Sequence, residues 1–151
     1  MTTLERVQTK EELEEKLSSY FGTESYHRPN PFVKPFIVTD GVMAFAELTG
    51  GYWFLDEVAL HLREIWQADK TNLFAVVRLI SKEKRNNTNN ADIKVYSDYD
   101  SSISEEENDK EYLLYKRHIG YTDMVTGEHK FYLSRDDENS ITSIMMLPSD
   151  Y

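Results

Sequence analysis

The sequence contains no cysteine, and this absence excludes several functional classes at once. Disulfide frameworks, zinc ribbons, iron–sulfur clusters and thiol catalysis all depend on cysteine sulfur. Long apolar runs are missing as well. The N-terminus lacks the ~7–15 apolar residues of a signal peptide, and no window approaches the ~18 of a membrane span. We therefore expect a cytoplasmic protein that does not enter a membrane.

Glycine and catalytic motifs are also scarce. The chain has six glycines and no glycine-rich turn after a predicted strand, which disfavours a phosphate cradle. Neither a P-loop nor a G-x-S-x-G elbow occurs. The four histidines have none of the H-x-x-x-H or H-E-x-x-H spacings of helical metal sites; they are His27, His61, His118 and His129. The sequence predicts no catalytic residues, no metal and no cofactor.

Basic residues are outnumbered, at 17 Lys and Arg against 27 Asp and Glu, for a net charge of −10. The imbalance is concentrated in residues 91–151, which carry 6 basic and 14 acidic side chains, against 11 and 13 in residues 1–90. Nucleic-acid-binding proteins normally collect Lys and Arg on one face. Direct nucleic-acid binding is therefore disfavoured, and a protein partner with a basic surface is favoured.

Residues 98–111 form the most acidic segment. Their composition indicates a flexible insertion, with Asp98 and Asp100 ~7 Å apart if the chain is extended there. The predicted partner-binding residues are Asp98, Asp100, Glu105, Glu106, Glu107, Asp109 and Glu111. A solvated loop without function is the alternative. A cation site is a third reading, although the pattern of an EF-hand is absent.

The first half of the chain predicts two to three helices. Thr9 begins a capping box for a helix over 10–21. Thr39-Asp40 precedes a second helix, closed by Gly50-Gly51, and an apolar stripe from Trp53 to Trp66 predicts a third. The prolines of residues 23–37 favour a crossing loop.

The second half predicts strands, because the apolar period changes after residue 72. The predicted strands are Leu73–Ile80, Ala91–Ser97, Glu111–Tyr121, Glu128–Ser134 and Ile141–Leu147. Helices followed by strands favour an α+β fold. We expect one domain over residues 1–151, with a helical part at about 9–68 packed on an antiparallel sheet of about five strands at about 73–147.

The stretch from Asp40 to Asp56 has two interpretations. Asp40 is expected to cap the second helix, while Trp53 supplies core area and Asp56 accepts from backbone amides of the third helix. Alternatively, Asp40, Tyr52, Trp53 and Asp56 line a pocket. The residues alone leave both interpretations open.

The same stretch carries a resemblance, together with segments elsewhere in the chain. These segments are Phe21–Tyr26, Thr39–Val42, Gly51–Asp56, Tyr121–Asp123 with Phe131–Leu133, and Met146–Tyr151. In this order they resemble a family of small uncharacterised proteins from cyanobacteria, other bacteria and phages. The resemblance implies a mobile-element context, in which small acidic proteins occupy host defence machinery.

Three functions are therefore compared. The first is a non-enzymatic acidic binding protein, in its finer form a phage or mobile-element inhibitor of anti-CRISPR type that occupies a basic nucleic-acid-binding surface. The second is a small-molecule-binding or enzymatic domain with a pocket near Tyr52, Trp53 and Asp56. The third is a self-associating module that pairs through a sheet edge.

Overall fold

A computed structural model describes residues 6–20, 25–83 and 89–150. In this part of the chain the protein forms five α-helices and one seven-stranded sheet, which confirms the predicted α+β class. The expected number of about five strands is too small, because the proline-containing segment contributes two short strands instead of only a loop. Helix Glu105–Tyr112 also lies between two of the C-terminal strands, so the helices are not confined to the N-terminal half.

The elements have the following bounds. The helices are α1 (Lys10–Leu17), α2 (Asp40–Thr49), α3 (Tyr52–Leu60), α4 (Leu62–Ala68) and α5 (Glu105–Tyr112). The strands are β1 (Tyr26–His27), β2 (Phe36–Thr39), β3 (Phe74–Glu83), β4 (Asn89–Tyr96), β5 (Leu113–Thr122), β6 (Gly127–Arg135) and β7 (Ser143–Met146), and a 3-10 turn covers Pro148–Asp150. Three predicted features lie outside the described residues: the end of the first helix at 21, residues 21–24 of the first resembling segment, and the last residue of the final one.

Helix α1 begins where its capping box predicts. The Thr9 hydroxyl accepts a hydrogen bond from the backbone N–H of Glu12 at 3.2 Å. The helix ends at Leu17, before the predicted residue 21. The hydroxyls of Ser18 and Ser19 donate to carbonyls of the last turn, an alternative to helical continuation that serine offers.

Helix α2 is capped by Thr39, whose hydroxyl accepts from the N–H of Val42 at 3.4 Å. The expectation that Asp40 is the cap is wrong, because Asp40 is already helical and its carboxylate binds another segment. Gly50 has a φ of 70°, the left-handed conformation that glycine adopts without strain, and it ends the helix.

The apolar stripe predicted as one helix is two helices, α3 and α4, separated at His61. The imidazole Nδ1 of His61 donates to the carbonyl of Glu57 at 2.7 Å, the acceptor that the backbone N–H of His61 would use in a continuous helix. That N–H bonds instead to the carbonyl of Val58 at 3.2 Å. The side chain therefore competes with the helix and breaks it.

The strands lie in the order β1-β2-β7-β6-β3-β4-β5. Strands β2 and β7 are parallel, with Ile37 opposite Ile144, and the other neighbours are antiparallel. The predicted purely antiparallel sheet is therefore corrected to a mixed one. The parallel pair joins two segments that are far apart in sequence, and no local sequence pattern predicts such a pairing.

One face of the sheet carries the hydrophobic core. Val77 and Leu79 of β3 and Phe131 of β6 are buried with the apolar sides of α2, α3 and α4. Phe45 and Phe54 meet Phe131 with ring centroids 4.9 and 5.2 Å apart. The side chains of the intervening positions lie on the other face, where α5 covers part of the sheet.

His129 is the polar member of this aromatic core. Its ring packs edge-on against Phe45 at 5.0 Å, and its Nε2 is buried without a hydrogen-bond partner in the described part of the chain. Burial, with a smaller contribution from Lys10, lowers the pKa of His129 to about 4. The ring is therefore held neutral.

We expect this histidine to make the fold sensitive to weak acid. The unfolded chain takes up a proton near pH 6.5 and the folded chain only near pH 4, so His129 contributes stability above 6.5 that is lost as the pH falls between these values. The loss amounts to about 3 kcal/mol. Urea unfolding of wild type and His129→Phe across this range measures it. Parallel pH curves for the two proteins would contradict the assignment.

Candidate functional site

The acidic segment 98–111 is folded in the structure. A turn leads from β4 to α5, where the Ser104 hydroxyl caps the helix by accepting from the N–H of Glu107 at 3.1 Å. Asn108 is buried; its side chain accepts from the N–H of Asp100 at 2.8 Å and donates to the carbonyls of Asp100 and Ser104. The expectation of a flexible insertion is wrong, because this single amide satisfies the turn and the helix start together.

Beneath α5, a row of four cations crosses the sheet. Arg78 of β3 lies opposite Lys130 of β6 and Lys94 of β4, and Lys94 lies opposite Lys116 of β5. Like charges on directly opposed strand positions repel each other. The row therefore needs anions nearby to be stable.

Helix α5 supplies two of those anions. Arg78 donates to Glu105 at 2.9 Å, and Lys94 donates to Asp109 at 2.9 Å and to Glu105 at 3.5 Å. A further carboxylate, Glu128 of β6, accepts from two nitrogens of the Arg78 guanidinium. The contacts fix α5 on the sheet by charge, since the helix has little apolar surface of its own.

Aromatic rings complete the arrangement. The guanidinium of Arg78 lies 4.3 Å from the ring centroid of Tyr99, a cation–π contact, and the Tyr96 hydroxyl donates to Asp109 at 2.5 Å. Burial and Asp109 raise the pKa of Tyr96, so this hydroxyl keeps its proton. Arg78 is nearly fully buried, which is acceptable for a cation only with partners such as these.

The pKa values of the paired groups shift in the direction that pairing predicts. Burial raises the pKa of Glu105 and Asp109, but hydrogen bonds outweigh it: Arg78 lowers that of Glu105, and Tyr96 and Lys94 lower that of Asp109. Burial likewise lowers the pKa of Lys94, and Asp109 and Glu105 raise it overall. The ion pairs of Arg78 and Lys94 with Glu105 and Asp109, called the clamp on α5 below, are therefore fully charged at neutral pH.

The seven predicted partner-binding residues separate into two groups. Asp100, Glu105 and Asp109 bind other parts of the chain, Asp100 through Ser102, whose hydrogen bonds lower its pKa. Asp98 and Asp100 lie after the end of β4, so the expected extended spacing is wrong. The remaining four are solvent-exposed and have no ion pair within the described ranges; they are Asp98, Glu106, Glu107 and Glu111.

The residues of the predicted pocket lie in different surroundings. Trp53 is half-buried on the edge of the core and lines a shallow groove of about 380 Å³ with Glu57 and residues 119, 121, 122 and 123. Tyr52 is exposed on α3, and burial and the neighbouring Glu47 raise its pKa. Asp56 accepts from the side chain of Asn30 at 3.2 Å rather than from helix amides.

Asp40 belongs to a different cluster, which the sequence interpretation missed. Its Oδ1 accepts from the Ser25 hydroxyl at 2.7 Å and lies 2.5 Å from Nε2 of His27. Serine, histidine and aspartate meet here, but the imidazole does not lie between the other two as a catalytic triad requires. The cluster ties β1 to the start of α2.

A second contact at the same place anchors the last segment of the resemblance. The hydroxyl of Thr39 donates to Asp150 at 2.6 Å, and the N–H of Leu147 donates to the same carboxylate at 3.0 Å. Gly41 lies directly under Leu147, and a Cβ at Gly41 would come 2.4 Å from that side chain. Three of the resembling segments, which contain Ser25, Thr39–Gly41 and Leu147–Asp150, therefore meet at the start of α2.

Neither a metal centre nor a membrane helix occurs in the described residues. No three of their His, Asp and Glu side chains are placed to hold a metal ion. None of the helices formed by these residues combines the length and apolarity needed to cross a membrane.

Comparison with known proteins adds one family. The model of a family of unknown function, DUF6876, matches residues 11–151. Neither the curated proteins nor the solved structures contain a significant match to the chain. The family match agrees with the resemblance to an uncharacterised family.

Proposed function

We propose that this chain, which belongs to the DUF6876 family of unknown function, is a non-enzymatic protein that binds a partner through the outer face of α5. The observation that carries the proposal is that the carboxylates on the two sides of this helix have different surroundings. Glu105 and Asp109 hold it on the cationic row of the sheet, while Glu106, Glu107 and Glu111 face solvent without ion pairs in the described part of the chain.

A fixed helix is a better binding element than a flexible acidic loop. Ordering side chains and segments upon association costs free energy, and a surface that is already ordered avoids part of that cost. Glu107 and Glu111 are one helical turn apart, so their carboxylates emerge from the same side of α5. Asp98, in the preceding turn, is also exposed.

The partner of this surface is a protein with a basic surface. Nucleic-acid-binding proteins collect Lys and Arg on the face that meets the phosphate backbone, so their grooves are basic surfaces of this kind. In its finer form, the proposal is an inhibitor of phage or mobile-element origin, of anti-CRISPR type, that occupies such a groove on a host defence protein. A cytoplasmic location, which accords with this role, stays a prediction.

The test is competition with nucleic acid. A labelled oligonucleotide is bound to purified CRISPR effectors and other defence nucleases, and its displacement by this protein is followed by fluorescence anisotropy at increasing salt. We expect one of these proteins to release the oligonucleotide, with an effect that weakens as salt rises. The triple variant Glu106→Gln, Glu107→Gln, Glu111→Gln should compete about tenfold less well.

The matched control neutralises three exposed carboxylates elsewhere: Glu11→Gln, Glu15→Gln and Asp136→Asn. Both triple variants should retain wild-type stability to within about 0.5 kcal/mol per site, because surface substitutions of this kind change little. Equal competition by the two variants would show that charge, but not α5, determines binding. If no protein of the panel releases its oligonucleotide, the inhibitor form of the proposal is wrong.

A further inference from the structure

The sheet ends at β5, and this strand has an unoccupied edge. Strand β5 pairs with β4 on one side, and no strand formed by the described residues pairs with the other. Register shifts occur near both ends of the β4–β5 pairing, so Tyr115–Ile119 is the regular stretch between them. Such an edge presents backbone donors and acceptors that a further strand can use.

A groove runs beside this edge. Ile119 and Tyr121 of β5 form one wall, and Trp53 and Glu57 of α3 form the other, enclosing the volume of about 380 Å³ described above. The Tyr121 side chain is 68% exposed, an unusual amount for a large aromatic ring. A groove between an edge strand and a helix is the arrangement by which some domains bind extended peptides, with the backbone pairing to the strand and alternate side chains entering the groove.

The basic side chains on β5 indicate what kind of strand could pair with this edge. Lys116, Arg117 and His118 are consecutive and exposed on β5, and the His118 imidazole already lies 2.7 Å from the Asp92 carboxylate. The contact of Arg117 with Glu57 is long, at 4.0 Å, and the Arg117 side chain remains more than half exposed. A second copy pairing antiparallel about Arg117 would place Arg117 directly against itself, and like charges at opposed strand positions repel. A strand carrying carboxylates would instead be attracted.

We propose that the β5 edge binds an extended, anionic peptide segment of a partner protein, which adds to the sheet as a further strand and places an apolar side chain in the groove beside Trp53 and Tyr121. This surface is separate from the outer face of α5. The inference therefore does not depend on the function proposed above.

The experiment is selection from a display library of random short peptides on the full chain, followed by NMR with the ¹⁵N-labelled protein. We expect the selected peptides to share carboxylates and an apolar residue at alternating positions. Their binding should shift the backbone amides of Tyr115–Ile119 and the indole of Trp53. Methylating alternate backbone nitrogens of a selected peptide should abolish binding, because strand addition requires its N–H groups.

Variants then test the side chains. The double variant Lys116→Gln, Arg117→Gln and the single variant Tyr121→Ser should each weaken binding about tenfold. The control for the latter is Tyr26→Ser, since Tyr26 is 57% exposed at the opposite end of the sheet. The triple glutamine variant of α5 should bind these peptides as wild type does, which separates this proposal from the previous one.

Three results would overturn the inference. The first is a selection that enriches no peptides, or only cationic ones. The second is a set of NMR shifts confined to another surface. The third is light scattering that shows a dimer abolished by Tyr121→Ser, since the edge would then hold a second copy.

Discussion

Replacing Trp66 with alanine should destabilise the protein by about 3–5 kcal/mol, the usual cost of deleting a buried aromatic side chain. Trp66 is 2% exposed, and its indole N–H donates to the Ser143 hydroxyl at 2.8 Å. The guanidinium of Arg135 lies 4.6 Å from its ring centroid. The substitution therefore leaves a cavity, removes the bond that ties α4 to β7, and exposes the flank of a buried cation.

Urea unfolding of two further variants makes this prediction specific. Trp66→Phe keeps most of the ring but loses the hydrogen bond, so we expect about 1–2 kcal/mol. Trp53→Ala removes a half-buried ring from the groove and should cost clearly less than Trp66→Ala. A larger loss for Trp53→Ala would mean that the groove side of α3, rather than α4, dominates the core. Should Trp66→Ala fail to fold, the Phe variant still gives a measurement.

Replacing Arg78 with methionine should loosen α5 and cost about 2–3 kcal/mol. Hydrogen bonds to charged groups are worth ~1.5–3 kcal/mol. The larger loss expected for a fully buried ion pair does not apply, because the partners Glu105 and Glu128 are about half exposed. The variant leaves Glu105 with Lys94 at 3.5 Å and removes the contact with Tyr99.

Hydrogen exchange separates detachment of α5 from general destabilisation. Relative to the wild type, the amide exchange of α5 should accelerate in Arg78→Met, whereas that of β3 and β6 should change much less, because these strands remain in the core. Arg78→Lys keeps the charge but not the forked geometry, so an intermediate effect is expected. Uniform acceleration across the sheet, or unchanged protection of α5, would contradict the clamp. A detached α5 should also weaken binding to the proposed basic partner, since its carboxylates would then need ordering.

Much of the fold could be predicted where the signals are local. The capping box at Thr9 predicts the start of α1 correctly, and the start of α2 is predicted to within one residue, since Thr39 rather than the expected Asp40 is its cap. The run Leu73–Ile80 reads as a buried strand and forms most of β3. The break at His61 was not predicted, because it depends on a single hydrogen bond from the imidazole to a carbonyl one turn earlier in the helix.

Other elements depend on contacts that only the folded chain contains. Helix α5 has no apolar stripe and owes its position to Arg78 and Lys94, which are distant in sequence. Strands β1 and β2 are short and flanked by prolines, and β2 acquires its partner from residues 143–146. Two tryptophans on one apolar stripe, Trp53 and Trp66, cannot be ranked by burial without knowing where the helix breaks.

The candidate site was predicted in composition but not in geometry. Arg78 was visible as the one charge interrupting an apolar run, which is a signal for a partnered cation inside a sheet. Its row with Lys94, Lys116 and Lys130 follows only from strand register. Without that row, the inner and outer carboxylates of α5 look alike in the sequence.

The position of β7 has a consequence for how the molecule is assembled during synthesis. Strand β7 lies between β2 and β6, so β1 and β2 cannot join the sheet until residues 143–146 have left the ribosome. Until then the apolar edge of β6 is uncovered, and an emerging chain in this condition is a substrate for chaperones. Among the described residues the sheet is thus closed by its last strand in sequence, and β1 and β2 join it only after the strands that follow them have been made.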